Sequence, residues 1–95
     1  MSPTRYTVVS SDEANDELLA IWLNSPGERA AITQASHEVD AALRNDAHQK
    51  GVPRPSAASP ARRYLERYPL GVYFEASEPD RLVRILQFVE LPPPP

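Results

Sequence analysis

The sequence predicts a small α+β domain in which two helices cover one face of a mostly antiparallel sheet. Three observations support this fold class. A short β-branched run stands at residues 6–10, two stretches with helical spacing of apolar residues follow, and three strand-like runs close the chain. The predicted order is therefore β-α-α-β-β-β. A chain of 95 residues has room for one such domain, which we place at residues 6–91.

Capping residues and apolar stripes indicate the two helices. The first helix is predicted to begin at Ser10, because Ser10 and Glu13 have the spacing of a capping box. Trp22 lies on its apolar face and is expected in the core. The second helix is predicted to start at Ser25 and to end between residues 44 and 47. Its apolar stripe consists of Ile32, Ala35, Val39 and Leu43. The short turn between the helices predicts an antiparallel hairpin.

The second half of the chain is predicted to be a surface loop followed by the strands. The loop covers residues 48–60, which are rich in Pro, Gly and Ser. The strands are predicted at residues 62–68, 70–76 and 81–91. The last strand is apolar on both faces, so we expect it at the centre of the sheet beside the first strand. Pro69 is expected to introduce a bulge or bend, and residues 92–95 form a polyproline tail.

Charge is distributed unevenly along a chain whose net charge is −3. Residues 1–43 contain two basic and seven acidic residues, whereas residues 44–67 contain six basic and two acidic residues. The middle segment therefore has a formal charge of +4. Two explanations remain open: a solvated loop with an exposed strand, or a segment that meets an anionic or acidic partner.

Several other classes of protein are disfavoured by composition. The chain has no cysteine, and neither His37 nor His48 has carboxylate neighbours at metal-ligand spacing, so we expect no metal and no cofactor. No window approaches the roughly 18 apolar residues of a membrane span, and the first residues do not resemble a signal peptide. The expected location is the cytoplasm.

Two stretches of the sequence resemble a known family. The opening YTVVSSDEANDELLAIW is similar to a start in which a short β-branched strand meets an acidic, leucine-containing helix. The stretch RRYLERYPLGVYFEASEPDRLVRILQFV is similar to three closing strands with a basic first strand, a valine–tyrosine pair and a charged turn. Both are features of the RelE/ParE toxins of plasmid-stabilisation and type II toxin–antitoxin modules, and the resemblance covers roughly residues 6–90. It implies a RelE/ParE-like fold and a cognate antitoxin as partner.

The resemblance also implies where ribonuclease members carry their catalytic groups. Arg63 falls in the basic strand, where the family places a catalytic lysine or arginine. Leu70 stands where a phosphate-binding arginine is usual. After the last strand, residues 89–91 replace a Gly-His-Arg or Gly-Lys-Arg-like stretch and a tyrosine. Because two of these three elements are missing, an intact ribonuclease site is not expected.

Three functional hypotheses follow. The first is a toxin that acts by binding its target, as the gyrase-inhibiting ParE branch does, or a degenerate member kept with its antitoxin. The second is a ribosome-dependent mRNA endoribonuclease that uses Arg62, Arg63 and Arg67. Tyr64 or Tyr68 would then replace the missing C-terminal acid. The third is an unrelated protein-interaction domain. The candidates for target or RNA binding are Arg54, Arg62, Arg67, Tyr64 and Tyr68. An exposed edge of the basic strand would allow a homodimer or the addition of an antitoxin strand.

Overall fold

The computed structural model describes residues 5–93 and contains two helices and five strands. The elements in chain order are β1 (Thr7–Ser10), α1 (Asp12–Asn24), α2 (Arg29–Leu43), β2 (Val52–Pro53), β3 (Arg63–Arg67), β4 (Leu70–Ser77) and β5 (Leu82–Glu90). The strands form one sheet in the order β1-β5-β4-β3-β2. Only the β1–β5 pair is parallel, so the predicted α+β class and mostly antiparallel sheet are confirmed.

The central position predicted for the last strand is also confirmed. β5 lies between β1 and β4, and β1 aligns Val8 with Val83 and Ser10 with Ile85. Both helices pack on the same side of the sheet, α1 against β5 and α2 against β3 and β4. Val83, Ile85 and Phe88 of β5 are buried and most of its other side chains are partly buried, which accounts for its apolar composition.

Apolar side chains from the sheet and α2 form the core. The fully buried side chains include Leu70, Val72 and Phe74 from alternate positions of β4. The predicted stripe of α2 is buried as expected. Trp22 differs from the prediction, because it is only partly buried at the margin of the core. Within residues 5–93, no helix has the length and hydropathy needed to cross a membrane.

The helix starts differ from those predicted. Ser11, not Ser10, caps α1, and its Oγ accepts from the Ala14 amide at 3.1 Å. Ser10 is instead the last residue of β1, because it pairs with β5. A 3₁₀ turn occupies residues 26–28, so α2 begins at Arg29, and it ends at Leu43, before the predicted limit.

The predicted loop 48–60 contains a strand that the sequence did not reveal. β2 has only two residues and pairs with Arg63 and Tyr64 of β3. Pro69 does not bend either strand, because Tyr68 and Pro69 form the two-residue turn of the β3–β4 hairpin, joined by a cis peptide bond. The bulge lies instead between Tyr73 and Phe74, where β4 faces β5. Of the proline tail, Pro94 and Pro95 lie outside the described residues, as do residues 1–4.

Candidate functional site

The face of the sheet opposite the helices carries a stack of an arginine and two tyrosines. Tyr64 of β3 lies directly opposite Tyr73 of β4, with ring centroids 4.7 Å apart and a tilt of 39°. The guanidinium carbon of Arg62 lies 4.4 Å from the centroid of the Tyr73 ring. This spacing gives both an aromatic pair and a cation–π contact. We call these three residues the open-face stack.

Gly71 makes room for one ring of the stack. A Cβ at this position would overlap the hydroxyl of Tyr64 and would lie 2.8 Å from Cγ2 of Val89. The Tyr64 ring therefore leans along β4 over the glycine. Its hydroxyl donates a hydrogen bond to Oε2 of Glu66 at 2.8 Å. The backbone at Gly71 and the carboxylate of Glu66 together fix the orientation of Tyr64.

The surroundings of Tyr64 keep its hydroxyl protonated. Burial is the largest cause, and the hydrogen bond to Glu66 and the negative charge of that carboxylate add to it, raising the pKa of Tyr64 to about 12. A group with such a pKa is a neutral hydrogen-bond donor near pH 7. Efficient general bases have a pKa near the working pH, so Tyr64 is poorly matched to that role.

Arg63, the catalytic candidate from the sequence, lies on the other side of the sheet. Side chains alternate along a strand, so Arg63 shares the helix-facing side with the buried Leu65 and not with Tyr64. Its Nε donates to the carbonyl of Lys50 at 2.8 Å, and its Nη2 donates to the carbonyl of Gly51 at 3.1 Å. In this structure the guanidinium ties the chain before β2 to β3.

The remaining candidates are dispersed around the hairpin. Arg54 and Arg62 extend the β2–β3 pairing, with the Arg54 amide donating to the Arg62 carbonyl at 2.9 Å. Arg67 donates to the carbonyl of Glu66 at 2.8 Å. Tyr68 is half exposed in the β3–β4 turn. Of the predicted binding residues, the structure thus brings only Arg62 and Tyr64 into the stack.

Tyr73 and Gly71 were not among the site residues predicted from the sequence. The alternation in β4 places Tyr73 opposite the core residues Val72 and Phe74, and that signal was available in the sequence. The cross-strand register that sets Tyr73 against Tyr64 was not available, because register depends on how the hairpin turns.

The outer edge of β3 is less open than expected. β2 covers Arg63 and Tyr64, and the Glu66 carbonyl beyond it accepts from the side chain of Arg67. β2 therefore covers two of the five residues of β3 on this side.

The two histidines lie apart from the stack. His48 accepts or donates through Nδ1 at 2.6 Å from the hydroxyl of Tyr6, and burial raises the pKa of that tyrosine. His37 belongs to α2 and lies beside Trp22 and Arg29. Among the described residues no group of His, Cys, Asp and Glu is placed to hold a metal ion.

The fold and the open face define a class: a one-sheet α+β protein with a helical hairpin on one side and an aromatic–arginine surface on the other. No protein-family model matches the chain, and no curated protein matches it in sequence. Solved structures do match. A chain of the chromosomal ParDE TA system from P. aeruginosa is 22% identical, with a TM-score of 0.73, and the match covers 94% of this chain and 99% of that chain.

A second similar structure comes from the toxin–antitoxin complex RelBE2 of Mycobacterium tuberculosis. This match has 17% identity and a TM-score of 0.68, and it covers 92% of each chain. The protein therefore has the RelE/ParE-like fold that the sequence resemblance implied.

Proposed function

We propose that this chain is the toxin component of a type II toxin–antitoxin module and acts by binding its target through the open-face stack. The fold it shares with chains of the ParDE and RelBE2 systems supports the toxin assignment. The observation that carries the binding mode is the separation of Arg63 from Tyr64 by the sheet itself. A cognate antitoxin is the partner we expect, and a protein target such as DNA gyrase fits the ParE-like mode.

RNA cleavage requires cationic and acid–base groups around one phosphate. Here the guanidinium of Arg63 is held by the backbone carbonyls of Lys50 and Gly51. Tyr64 points to the carboxylate of Glu66, whose negative charge opposes a phosphate at that position. Leu70, at the position of the usual phosphate-binding arginine, is fully buried. These contacts favour binding over ribonuclease chemistry.

The composition of the stack suits a protein target. Tyrosine and arginine are enriched among the residues that contribute most to protein–protein binding, because they combine a large contact area with hydrogen-bonding groups. Arg62 is held in place by Tyr73 and by a 2.7 Å hydrogen bond from its Nε to the carbonyl of Arg54. A side chain that is already ordered loses less entropy on binding.

The test is to induce the chain alone in a bacterial host and to measure growth, messenger RNA integrity and plasmid supercoiling. Arg62→Ala removes the half-buried arginine of the stack, and Arg44→Ala, which also removes one arginine, is the control. Arg44 is exposed and lies beyond α2, where its guanidinium forms a salt bridge with Asp40 at 2.7 Å. We expect growth arrest with intact messages, relieved by Arg62→Ala and not by Arg44→Ala.

Other outcomes would overturn the proposal in distinct ways. Arrest with cleaved messages would assign ribonuclease activity instead. Normal growth with folded protein confirmed would indicate a degenerate toxin or an unrelated interaction domain. Co-expression of the adjacent reading frame should restore growth and yield a stable complex if that frame encodes the antitoxin.

A further inference from the structure

A second candidate binding surface lies on the opposite side of the molecule from the open-face stack. We propose that the groove between α1 and α2 docks an amphipathic helix of net positive charge from another protein. The groove has a volume of about 240 Å³, and we call it the helix groove. It is lined by Asn15, Leu18, Leu19, Trp22, Ile32, Thr33 and Ser36.

The helix groove is apolar although solvent reaches it. Leu19 and Leu23 of α1 are 55% and 53% exposed, and they stand one helical turn apart. Beyond Trp22 the surface continues as a hollow of about 480 Å³ beside Arg29 and His37. Two leucines one turn apart, beside a groove lined by Trp22, can pack against apolar side chains that are one turn apart on a partner helix.

Arg29 stacks on Trp22 and holds it in position. Its guanidinium carbon lies 4.2 Å from the centroid of the Trp22 ring. Its Nε donates to the Trp22 carbonyl at 3.0 Å, and its Nη2 donates to the Leu23 carbonyl at 3.3 Å. The arginine thus satisfies the carbonyl end of α1, where positive charge is favourable.

The negative charge around the helix groove favours a partner of net positive charge. α1 has four acidic residues and no basic one; Glu17 is turned toward the sheet, where it accepts from the Phe88 amide at 3.1 Å, and Asp12, Glu13 and Asp16 are exposed. Asp12 and Asp16 precede Leu19 on the same face of α1, because their spacing follows the helical period. A nucleic acid would be repelled by this surface, and a second copy of the chain would bring the same acidic face. A helix with lysines or arginines beside its apolar ridge complements it.

This proposal goes beyond the target-binding role of the open-face stack and does not depend on it. The two surfaces lie on opposite sides of the sheet and share no residue. A variant in one surface should therefore leave the other unaffected.

Trp22 makes the test direct, because it is the only tryptophan in the chain. The probe is a synthetic helical peptide of about 16 residues with leucines at i, i+4 and i+7 and lysines beside them. Its control has the same leucines and glutamates in place of the lysines. We expect the lysine peptide to change Trp22 fluorescence saturably and to bind at least about tenfold more tightly than the glutamate peptide. Added salt should weaken binding.

Variants locate the peptide on the protein. Leu19→Lys with Leu23→Lys should weaken binding of the lysine peptide by about tenfold or more, since it removes apolar contacts and adds repulsion. Asp12→Asn with Asp16→Asn should weaken binding of the lysine peptide. The same variant should not weaken binding of the glutamate peptide. Arg62→Ala should bind the lysine peptide with the affinity of the wild type. Because both leucines are exposed, circular dichroism should show an unchanged fold.

Several results would overturn the proposal. Equal affinity for the two peptides would remove the role of charge, and the absence of saturable binding by either would remove the site. Unchanged binding by the double leucine variant would place the peptide elsewhere. Self-association that is lost in that variant would assign the groove to a second copy of the chain. None of these results bears on whether Arg62→Ala relieves growth arrest, so the two proposals fail separately.

Discussion

Replacing Gly51 with alanine should destabilise the protein strongly. Gly51 has a φ of +66°, in the left-handed region that side chains with a Cβ rarely adopt. A Cβ there would overlap the carbonyl oxygen of Tyr64 and lie 2.8 Å from its carbonyl carbon. These are backbone atoms of β3, so they cannot move aside without disturbing its pairing with β2.

The size of the effect follows from two terms. The left-handed conformation costs roughly 1–2 kcal/mol for a residue with a Cβ. Forcing extra atoms into a packed site costs typically about 1–3 kcal/mol. The sum is about 2–5 kcal/mol, and each kcal/mol lowers the Tm of a domain this small by about 4–8 °C. We therefore expect the Tm of Gly51→Ala to fall by at least about 8 °C.

Thermal and urea unfolding of three proteins would check this value: wild type, Gly51→Ala and the control Gly27→Ala. Gly27 lies in the turn before α2, and a Cβ there would meet no atom within 4 Å. The control should remain within about 0.5 kcal/mol of wild type. If Gly51→Ala melts within a few degrees of Gly27→Ala, the argument from φ and from the Tyr64 carbonyl is refuted.

Three further predictions concern the open face and the core. Gly71→Ala should displace the Tyr64 ring and lower the pKa of Tyr64 toward 10, because the displaced ring loses burial as well as its hydrogen bond to Glu66. An unchanged ultraviolet titration of tyrosinate would contradict this. Glu66→Gln should lower the pKa of Tyr64 but leave it above its ordinary value, since burial is the larger cause. Because the folded state holds this proton more tightly, stability should fall as pH rises from 10 to 12, and urea unfolding should show a smaller fall in Glu66→Gln. Phe74→Ala should cost about 3–5 kcal/mol in urea unfolding, as Phe74 is fully buried, and a loss below about 1 kcal/mol would argue against its central place in the core.

The elements with strong local signals could be predicted from the sequence. Alternating side chains identify β4, and the apolar stripe from Ile32 to Leu43 identifies α2. Boundaries that depend on adjacent similar residues were less accurate. Ser10 and Ser11 both suit a helix cap, and the pairing of Ser10 with β5 decides between them.

The features that were missed depend on contacts between distant parts of the chain. β2 has two residues, one of them a proline, and exists because β3 is beside it. Trp22 lies at the margin of the core, where Arg29, seven residues later, stacks on its ring. Arg63 was assigned to the basic strand correctly, but the face to which its side chain points requires the register of the sheet.

The central place of β5 has a consequence for synthesis. β5 follows every other element along the chain, yet β1 and α1 both pack against it, and β1 pairs across a separation of 75 residues, as between Val8 and Val83. During translation the first helix and strand emerge long before the strand that covers them. Residues 82–90 must therefore leave the ribosome before the sheet can close, and until then the apolar side of α1, which packs against β5, is available to chaperones or to a binding partner.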